Sequence, residues 1–290
     1  MTETNRIEYK REGISELDIE KKQHFEFSVY ETIGASQHTM SNLLYKYLDI
    51  NGATMMLYHS NLMYANVTTF NDPFDCHPSL IDFSNVPPEE CKGWTPKIVE
   101  DLRTNRHENY RNDLWICCLS KVYDSLLMWS YYNKHEGVCI GLNMDNVAKY
   151  IDASYGLMAT ARGKEVEYRD IIEKPVCRSF HGDYFDYQVF TKAKAWEHEQ
   201  EVRLYVYKPS PMFFRLLPFQ KDKQDFDIKE ARTFIELGPE CFDSIYLGVK
   251  ISPENKAEII QYAKKLNPDI KIYQMEIDPN AFKVIDRRIE

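Results

Sequence analysis

The stretch KAKAWEHEQEVRLYVY, from Lys192 to Tyr207, carries the clearest β-strand pattern in the chain. From Glu199 onward its side chains alternate between two sets. Successive side chains of a strand point to opposite faces of a sheet, so the pattern predicts a strand with one face in a core. The core-facing set comprises Gln200, Val202, Leu204 and Val206. The opposite set comprises Glu199, Glu201, Arg203 and Tyr205.

The polar face of this predicted strand holds two carboxylates close together. Glu199 and Glu201 would lie about 7 Å apart, so a cation is needed to relieve their repulsion, and Arg203 can supply it. The arrangement fits a solvated strand face balanced by an ion pair. It fits a functional site equally well, because Trp196 lies just upstream and other aromatic-rich segments occur in the chain.

The composition is typical of a folded protein with one large domain or two small ones. The chain has 290 residues, of which 43% are hydrophobic and 28% charged, enough for a sizeable core. Its net charge of −9 argues against a broad nucleic-acid-binding surface, because such surfaces are basic. The sequence has no run of about 18 apolar residues, which predicts no membrane span and no membrane partner.

Two further features indicate a cytoplasmic protein. The first residues, MTETNRIEYKREG, are polar and lack the apolar core of a signal peptide. The 7 cysteines are odd in number and include no CxxC pair. We therefore expect reduced thiols and assign no zinc or other metal site.

We divide the chain into an N-terminal extension, residues 1–41, and a single α+β domain, residues 42–290. The extension is polar, and we expect it to be loosely attached. Within the domain, residues 84–112 are predicted to be a helical insertion and residues 209–232 a loop. Buried strands are predicted at residues 114–120 and 138–143, and further strands at residues 244–251 and 270–277.

Local signals predict further elements of the domain. Ser252 followed by Pro253 marks a helix start between the last two strands, and this β-α-β unit indicates a mixed sheet with helices. Asp124 is a candidate cap for a helix that Gly137 stops. Residues 53–67 are predicted to be two strands joined by a turn.

The segment FNDPFDC, residues 70–76, contains a turn signal with polar side chains. Asn71 and Asp72 can hydrogen-bond nearby backbone amides. Phe70 and Phe74 bracket the turn, and we expect both to anchor it to the core. Asn71 and Asp72 are therefore either part of a structural Asx turn or ligands of a metal or a ribose.

Other candidate residues have both a structural and a functional interpretation. His135 is either a cap at a helix C-terminus or a catalytic base. Cys118 and Cys139 lie on predicted buried strands and are either small hydrophobic residues or nucleophiles. Lys192 and Lys194 are either solvated or placed to meet a phosphate. No glycine-rich phosphate loop, HExxH or nucleophile elbow occurs. Their absence argues against the commonest classes of hydrolases and nucleotide-binding proteins.

Several segments occur in a characteristic order and spacing. They are LYKY at 44–47, FNDPFDC at 70–76, CLSKVYDSLLMWSYYNKHEGVCIGLN at 118–143, KAWEHEQEVRLY at 194–205 and SIYLGVKIS at 244–252. Together they resemble a bacterial family known only as domain of unknown function 2971. The resemblance covers about residues 42–280. It implies a setting in bacterial stress or anti-phage defence, but it names no activity.

A second resemblance concerns chemistry. The segments Leu44–Tyr47 and Glu199–Glu201 are similar to the opening strand and the closing Glu-x-Glu strand of ADP-ribosyltransferases. These enzymes split the bond between nicotinamide and ribose in NAD. The resemblance therefore implies NAD, a nucleotide, as the substrate and no tightly bound cofactor.

The same resemblance assigns roles to individual residues. Glu201 would stabilise the positive charge on the ribose, and Lys46 would bond the adenosine ribose, although Lys46 departs from the usual His or Arg. Ser60 and Ser120 both fit as the serine of the middle strand. The candidates for stacking on the departing nicotinamide are Tyr47, Tyr64 and Trp129.

We therefore predict an α+β fold with a mixed sheet, similar to that of ADP-ribosyltransferases. The leading function is an NAD-using ADP-ribosyltransferase-like enzyme, and the alternative is a non-catalytic ligand-binding or protein-interaction module. The pocket is expected where residues 44–47, 70–76, 118–135 and 196–203 converge. The predicted catalytic residues are Glu201, Glu199 and Lys46. The predicted substrate-binding residues are Tyr45, Tyr47, Asn71, Asp72, Trp129, Trp196 and Arg203.

Overall fold

The chain forms an α+β structure with a mixed β-sheet. It is seen in a computed structural model that describes residues 42–82, 111–155, 163–174, 183–207 and 231–290. The predicted N-terminal extension and most of the predicted insertion and loop lie outside the described residues. In the part of the chain that is described, no helix is long and apolar enough to cross a membrane.

The helices and strands are as follows, in chain order. The strands are β1 (Leu43–Leu48), β2 (Asn61–Asn66), β3 (Leu114–Ser120), β4 (Val138–Asn143), β5 (Lys164–Glu165), β6 (Glu167–Arg169), β7 (Thr191–Ala193), β8 (Glu201–Tyr207), β9 (Arg232–Glu236), β10 (Phe242–Leu247), β11 (Lys271–Ile277) and β12 (Val284–Arg288). The α-helices are α1 (Ile50–His59), α2 (Leu126–Asn133), α3 (Met144–Tyr155), α4 (Asp183–Phe190) and α5 (Pro253–Leu266). A 3₁₀ helix, Lys194–Glu199, precedes β8.

The large sheet divides at β3, which has three neighbours. β8 pairs along the full length of β3, with Ser120 opposite Glu201. Since β8 occupies one edge of β3, β1 and β2 share the other edge: β1 pairs at Tyr45 and Ser120, and β2 pairs near Trp115 and Ile116. The sheet continues from β1 through β4, β10, β11 and β12, from β2 to β9, and from β8 to β5. β10 and β11 are parallel and are connected by α5, which confirms the predicted mixed sheet.

β8 is buried on both of its faces. Val202, Leu204 and Val206 pack into the main core with residues of α1, α3 and α5, as the alternation predicted. On the opposite face, Tyr205 packs into a smaller apolar cluster with residues of α4. A polar set on this second face is therefore enclosed by protein and not solvated.

One predicted strand is a helix, and a predicted helix through Asn133 is confirmed but has other residues at its two ends than predicted. Residues 50–59 form α1 and not a strand: the Asp49 side chain accepts a hydrogen bond from the Gly52 amide at 2.7 Å, which starts the helix. α2 is capped by Ser125 rather than Asp124, and it ends at Lys134 in the left-handed conformation (φ 54°). Gly137 lies beyond that end.

The third correction concerns the start of β8. Glu199 ends the 3₁₀ helix, and Gln200 adopts the left-handed conformation at φ 43°. The strand therefore begins at Glu201, and the predicted single strand from Glu199 onward is wrong at its first two residues. The alternating pattern does not reveal this turn. Because of it, Glu199 and Glu201 lie on different elements and both reach the Lys192 ammonium group.

Candidate functional site

Charged side chains from separate elements are buried together on the second face of β8. Glu201 and Arg203 come from β8, Lys192 comes from β7, and Glu199 ends the 3₁₀ helix. The side chains of this set are at most 8% exposed. We call it the charge network, and its members are Asp75, Lys192, Glu199, Glu201 and Arg203.

Arg203 is the centre of the charge network, and its guanidinium is engaged by protein acceptors. Nε donates to Glu201 Oε1 at 2.8 Å, and Nη2 donates to Glu201 Oε2 at 3.1 Å and to Asp75 Oδ2 at 2.9 Å. Nη1 donates to the Val189 carbonyl oxygen at 2.5 Å. The rigid fork of donors in a guanidinium suits such bridging of two carboxylates. Arg203, predicted to bind substrate, is bonded within the protein instead.

Lys192 connects the remaining carboxylates. Its Nζ lies 2.5 Å from Glu199 Oε2, 3.0 Å from Glu201 Oε2 and 3.7 Å from Asp75 Oδ2. It also lies 5.2 Å from the centre of the half-buried Trp196 ring, within cation–π range. Burial alone would lower the pKa of Lys192, but Glu201 and Asp75 outweigh burial and raise it. Lys192 is therefore a fixed ammonium group.

Glu199 and Glu201 have opposite electrostatic environments. Three carboxylates face two cations in the charge network, so one negative charge is in excess. Burial raises the pKa of Glu199, against the attraction of Lys192. Burial would also raise the pKa of Glu201, but Arg203 and Lys192 overcome it and hold that pKa well below its usual range. Glu199 therefore protonates more easily than Glu201, and its Oε1 accepts a hydrogen bond from the Tyr132 hydroxyl.

A cavity of about 180 Å³ lies against the charge network, and we call it the Asp72 cleft. Asp75 and Lys192 belong both to its wall and to the network. The cleft therefore adjoins fixed charges. The other wall residues are Asp72, Phe74, Leu80, Arg169, Asp170, Ile171, Ile172, Thr191 and Ala193.

The predicted turn at residues 70–76 shapes one side of the cleft. Asp72 Oδ1 accepts a hydrogen bond from the Phe74 amide at 2.9 Å, which closes an Asx turn. Asp72 Oδ2 is buried and has no hydrogen-bond partner among the described residues. Phe70 packs against the core, as expected. Phe74 is 55% exposed, so its predicted role as a core anchor is wrong. Asn71 is exposed.

The predicted aromatic contacts to a ligand lie mostly in a separate buried cluster. Trp129 is fully buried, and its Nε1 donates to the Tyr123 carbonyl oxygen at 2.7 Å. Tyr47 meets Trp129 edge-on with ring centres 5.3 Å apart, and Tyr45 lies 5.3 Å from the Tyr123 ring. Because Tyr45 and Tyr47 are also buried, these rings offer little surface to a ligand.

Lys46 points away from Glu201. It shares its strand parity with Leu44, and Leu44 packs with Val202 in the main core, whereas Glu201 belongs to the opposite face of β8. The Lys46 Nζ donates to the Cys118 carbonyl oxygen at 2.8 Å. This contact lies at the point where β3 passes from its pairing with β2 to its pairing with β1.

The three strands named by the enzyme resemblance nevertheless lie side by side in the order β1, β3, β8. Tyr45 is opposite Ser120, and Ser120 is opposite Glu201. Of the two candidate serines, Ser120 therefore lies beside Glu201. Ser60 lies at the end of α1, where its hydroxyl donates to the Leu237 carbonyl oxygen at 2.7 Å.

Asp75 and Tyr132 were missing from the predicted set, and Lys192 was considered only as a solvated residue or a phosphate contact, whereas it is buried against Glu199 and Glu201. A signal existed for Asp75, because an arginine on a strand with apolar neighbours needs a buried anion. Asp75 stands in the FNDPFDC segment already singled out. Nothing local connects Tyr132 to Glu199, since that contact joins residues 67 positions apart.

The described residues contain no group of three or more His, Cys, Asp or Glu side chains arranged to hold a metal ion. Comparisons of the chain with family models, curated proteins and solved structures found no match. The resemblances to domain of unknown function 2971 and to ADP-ribosyltransferases therefore stay predictions.

Proposed function

We propose that the chain is a ligand-binding protein whose site is the Asp72 cleft. The observation that carries this proposal is the double role of Lys192 and Asp75, which belong to the cleft wall and to the buried charge network at once. The network holds these two charges in fixed positions beside a cavity. Pre-positioned polar groups in an otherwise apolar cavity are typical of small-molecule sites.

The energetics of the charge network support a functional origin. Moving an ion from water into a protein costs several kcal/mol, and well-packed apolar residues commonly stabilise a fold as well as a buried ion pair does. A buried network with one uncompensated negative charge is therefore not expected to increase the stability of the fold. Shifted pKa values of opposite direction beside a cavity, as at Glu199 and Glu201, are a common mark of functional sites.

The same contacts favour binding over NAD cleavage. A carboxylate that stabilises a ribosyl cation must direct its charge at the substrate. Both oxygens of Glu201 are occupied by Arg203 and Lys192. Lys46 belongs to the other face of the sheet. The predicted catalytic pair therefore shares no cleft.

An NAD-using ADP-ribosyltransferase-like enzyme is the second candidate. The order β1, β3, β8, with Tyr45, Ser120 and Glu201 in register, favours it, because the three strands that the resemblance names are neighbours in the sheet. In that case the substrate has to displace Lys192 from Glu201 before any charge can be stabilised.

The two candidates are separated by a binding screen and a turnover assay. We expect small organic compounds from a fragment library to raise the melting temperature of the wild type, because a ligand that binds the folded state stabilises it. Ala193→Phe, which fills the cleft wall, should abolish these shifts. Ala195→Phe, on the exposed 3₁₀ helix, is the matched control and should keep them.

The turnover assay measures nicotinamide release from NAD, with and without cellular extract as a source of acceptor. We expect no release. Release by the wild type that is lost in a folded Glu201→Gln variant would replace the binding proposal by the enzyme.

A further inference from the structure

A second cavity, with a volume of about 490 Å³, lies where α2, the end of β10 and the loop between β11 and β12 meet. We call it the Lys250 groove, and its wall includes Leu126, His135, Lys250, Ile277 and Phe282. Its volume falls within the range of about 300–1,000 Å³ that is typical of small-molecule sites. Among the described residues, it shares no wall residue with the Asp72 cleft.

One corner of the groove is built tightly between the end of α2 and the end of β10. His135 has the left-handed conformation at φ 62°, which costs free energy in a residue other than glycine. Its amide donates to the Trp129 carbonyl oxygen at 2.8 Å, and its carbonyl oxygen accepts from the Lys250 amide at 2.8 Å. A Cβ on Gly248 would lie 2.3 Å from that carbonyl oxygen, so this approach requires glycine. The backbone therefore fixes His135 and Lys250 beside each other on the groove wall.

Lys250 carries the uncompensated charge of this wall. Its side chain is exposed, and it forms no ion pair within the part of the chain that the structure describes. The other wall lysine, Lys283, lies 3.3 Å from Asp278, so these two charges offset each other. Burial and the charge of Lys250 lower the pKa of His135, so the imidazole is neutral near neutral pH. The wall therefore carries one positive charge, although the net charge of the chain is −9.

Exposed apolar side chains surround the same groove. Ile277 is 72% exposed, the Phe282 ring is fully exposed, and Leu126 at the start of α2 is exposed as well. A single exposed apolar side chain is normal on a protein surface, whereas several around one cavity are typical of a binding surface. An apolar ligand in the groove would remove part of this surface from water, which is favourable.

We propose that the Lys250 groove binds a small amphipathic acid, namely a carboxylate on an apolar body. The carboxylate pairs with the Lys250 ammonium group, and the body lies against Leu126, Ile277 and Phe282. One negative charge on the ligand matches the one positive charge of the wall, whereas a phosphate monoester carries nearly two and a cation would be repelled. This second site goes beyond the proposed function and does not rest on it.

The volume of the groove limits the size of the acid. About 490 Å³ corresponds to about sixteen water-sized groups at roughly 30 Å³ each. Octanoate, an eight-carbon acid, has fewer non-hydrogen atoms than this and therefore fits the groove. It presents a carboxylate at one end and a purely apolar chain at the other, as the wall requires.

The test uses three probes of equal chain length on the full chain: octanoate, the neutral octan-1-ol and the cationic octylammonium. Binding is measured by calorimetry and by ligand-observed NMR. We expect octanoate to bind at least roughly tenfold more tightly than the other two. This comparison is made on the wild type, so it depends on no variant folding correctly.

Lys250→Met then assigns the charge to one residue. Methionine keeps most of the apolar stem and removes the ammonium group, so the variant should lose roughly tenfold in affinity for octanoate and none for octan-1-ol. Lys265→Met, on the exposed surface of α5, is the control and should keep wild-type affinity for both. Unchanged melting temperatures without ligand check that the two variants fold.

Phe282→Ser tests the apolar part of the site. Because the Phe282 ring is fully exposed, its replacement should not lower the stability of the free protein. The variant should weaken octanoate and octan-1-ol by the same factor, roughly threefold or more. Ala193→Phe, which fills the Asp72 cleft, should leave the affinity for octanoate unchanged.

The contrary outcomes are specific to the Lys250 groove. Equal or tighter binding of octan-1-ol or octylammonium overturns the inference, because the groove then selects no anion. Absence of binding by all three probes overturns it as well. Octanoate affinity that Lys250→Met or Phe282→Ser leaves unchanged, or that Ala193→Phe abolishes, places the acid elsewhere and also overturns it. None of these results removes fragments from the Asp72 cleft, so the proposed function is decided by its own screen.

Discussion

Charge balance at Glu199 and Glu201 determines how single-residue changes affect stability. Removing one partner of a buried ion pair leaves the other uncompensated, so Glu201→Gln should lower the free energy of unfolding by about 3–5 kcal/mol near neutral pH. Glu165→Gln is the control: Glu165 pairs with Lys121, its side chain is 53% exposed, and exposed pairs contribute about 0–1 kcal/mol. Denaturant unfolding measures both.

The pH dependence of this effect has opposite signs at the two glutamates. The folded pKa of Glu201 is lowered, so its contribution is full above the unfolded pKa of about 4.3 and is lost as pH falls. The folded pKa of Glu199 is raised, so its contribution is present below about 4.3 and is lost as pH rises through the folded pKa.

Unfolding free energies measured at several pH values therefore distinguish the two residues. The difference between wild type and Glu201→Gln should grow as pH rises from about 3 to 7, whereas the difference between wild type and Glu199→Gln should shrink. Parallel curves for the two variants would contradict the assigned electrostatic environments.

At the scale of elements, the turn at Gln200 sets the geometry of the charge network. Its amide donates to the Glu197 carbonyl oxygen at 3.2 Å, and its own carbonyl accepts from the Lys121 amide at 3.0 Å. Both bonds use backbone atoms, so they survive a change of side chain. The left-handed φ of 43° is strained for glutamine and free of strain for glycine.

Gln200→Gly should therefore be neutral or raise the free energy of unfolding by up to about 1 kcal/mol. Gln200→Val should lower it by about 1 kcal/mol or more, because a β-branched side chain fits a left-handed residue badly. The two variants change the same exposed position, so each is a control for the other. A Val variant as stable as the Gly variant would show that the turn relaxes to another conformation.

Strand parity was predictable from the sequence, and element ends were less so. The core face of β8 follows from alternation alone, and Val202, Leu204 and Val206 do belong to the main core. The ends depend on single caps. At α1 the Asp49 cap decided the structure, although residues 53–57 alone suit a helix or a strand. At Gln200 the alternation of polar and apolar residues continues, but the residue adopts the left-handed conformation and the strand begins only at Glu201.

At the scale of the whole molecule, the candidate site depends on contacts between distant parts of the chain. The Arg203–Asp75 hydrogen bond joins residues 128 positions apart, and the Arg203–Glu201 bond joins residues 2 apart. Local pattern predicts the second pair and cannot choose the partner in the first. For this reason the pairing of Glu201 with Arg203 was predicted correctly. The pairing of Glu201 with Lys192 and that of Arg203 with Asp75 were not predicted.

The same long-range view explains why Lys46 was assigned to catalysis. Its position in the opening strand matched a motif, but a motif does not specify which sheet face a side chain takes. In the folded molecule β1 and β2 separate along one edge of β3. Lys46 reaches the Cys118 carbonyl oxygen and satisfies an acceptor that would otherwise lie at this division of the sheet.

Lys46→Met tests whether this role is structural. Methionine keeps most of the apolar stem and removes the donor, so the free energy of unfolding should fall by about 1–3 kcal/mol. The melting shifts caused by cleft-binding fragments should be unchanged, since Lys46 faces away from the Asp72 cleft. Lys265→Met, on the exposed surface of α5, controls for loss of one positive charge and should change neither quantity. A Lys46→Met protein that has wild-type stability but no longer binds ligand would contradict the structural role, because a purely structural lysine affects stability first. Such a result would indicate that Lys46 contributes to the binding site and would favour the enzyme.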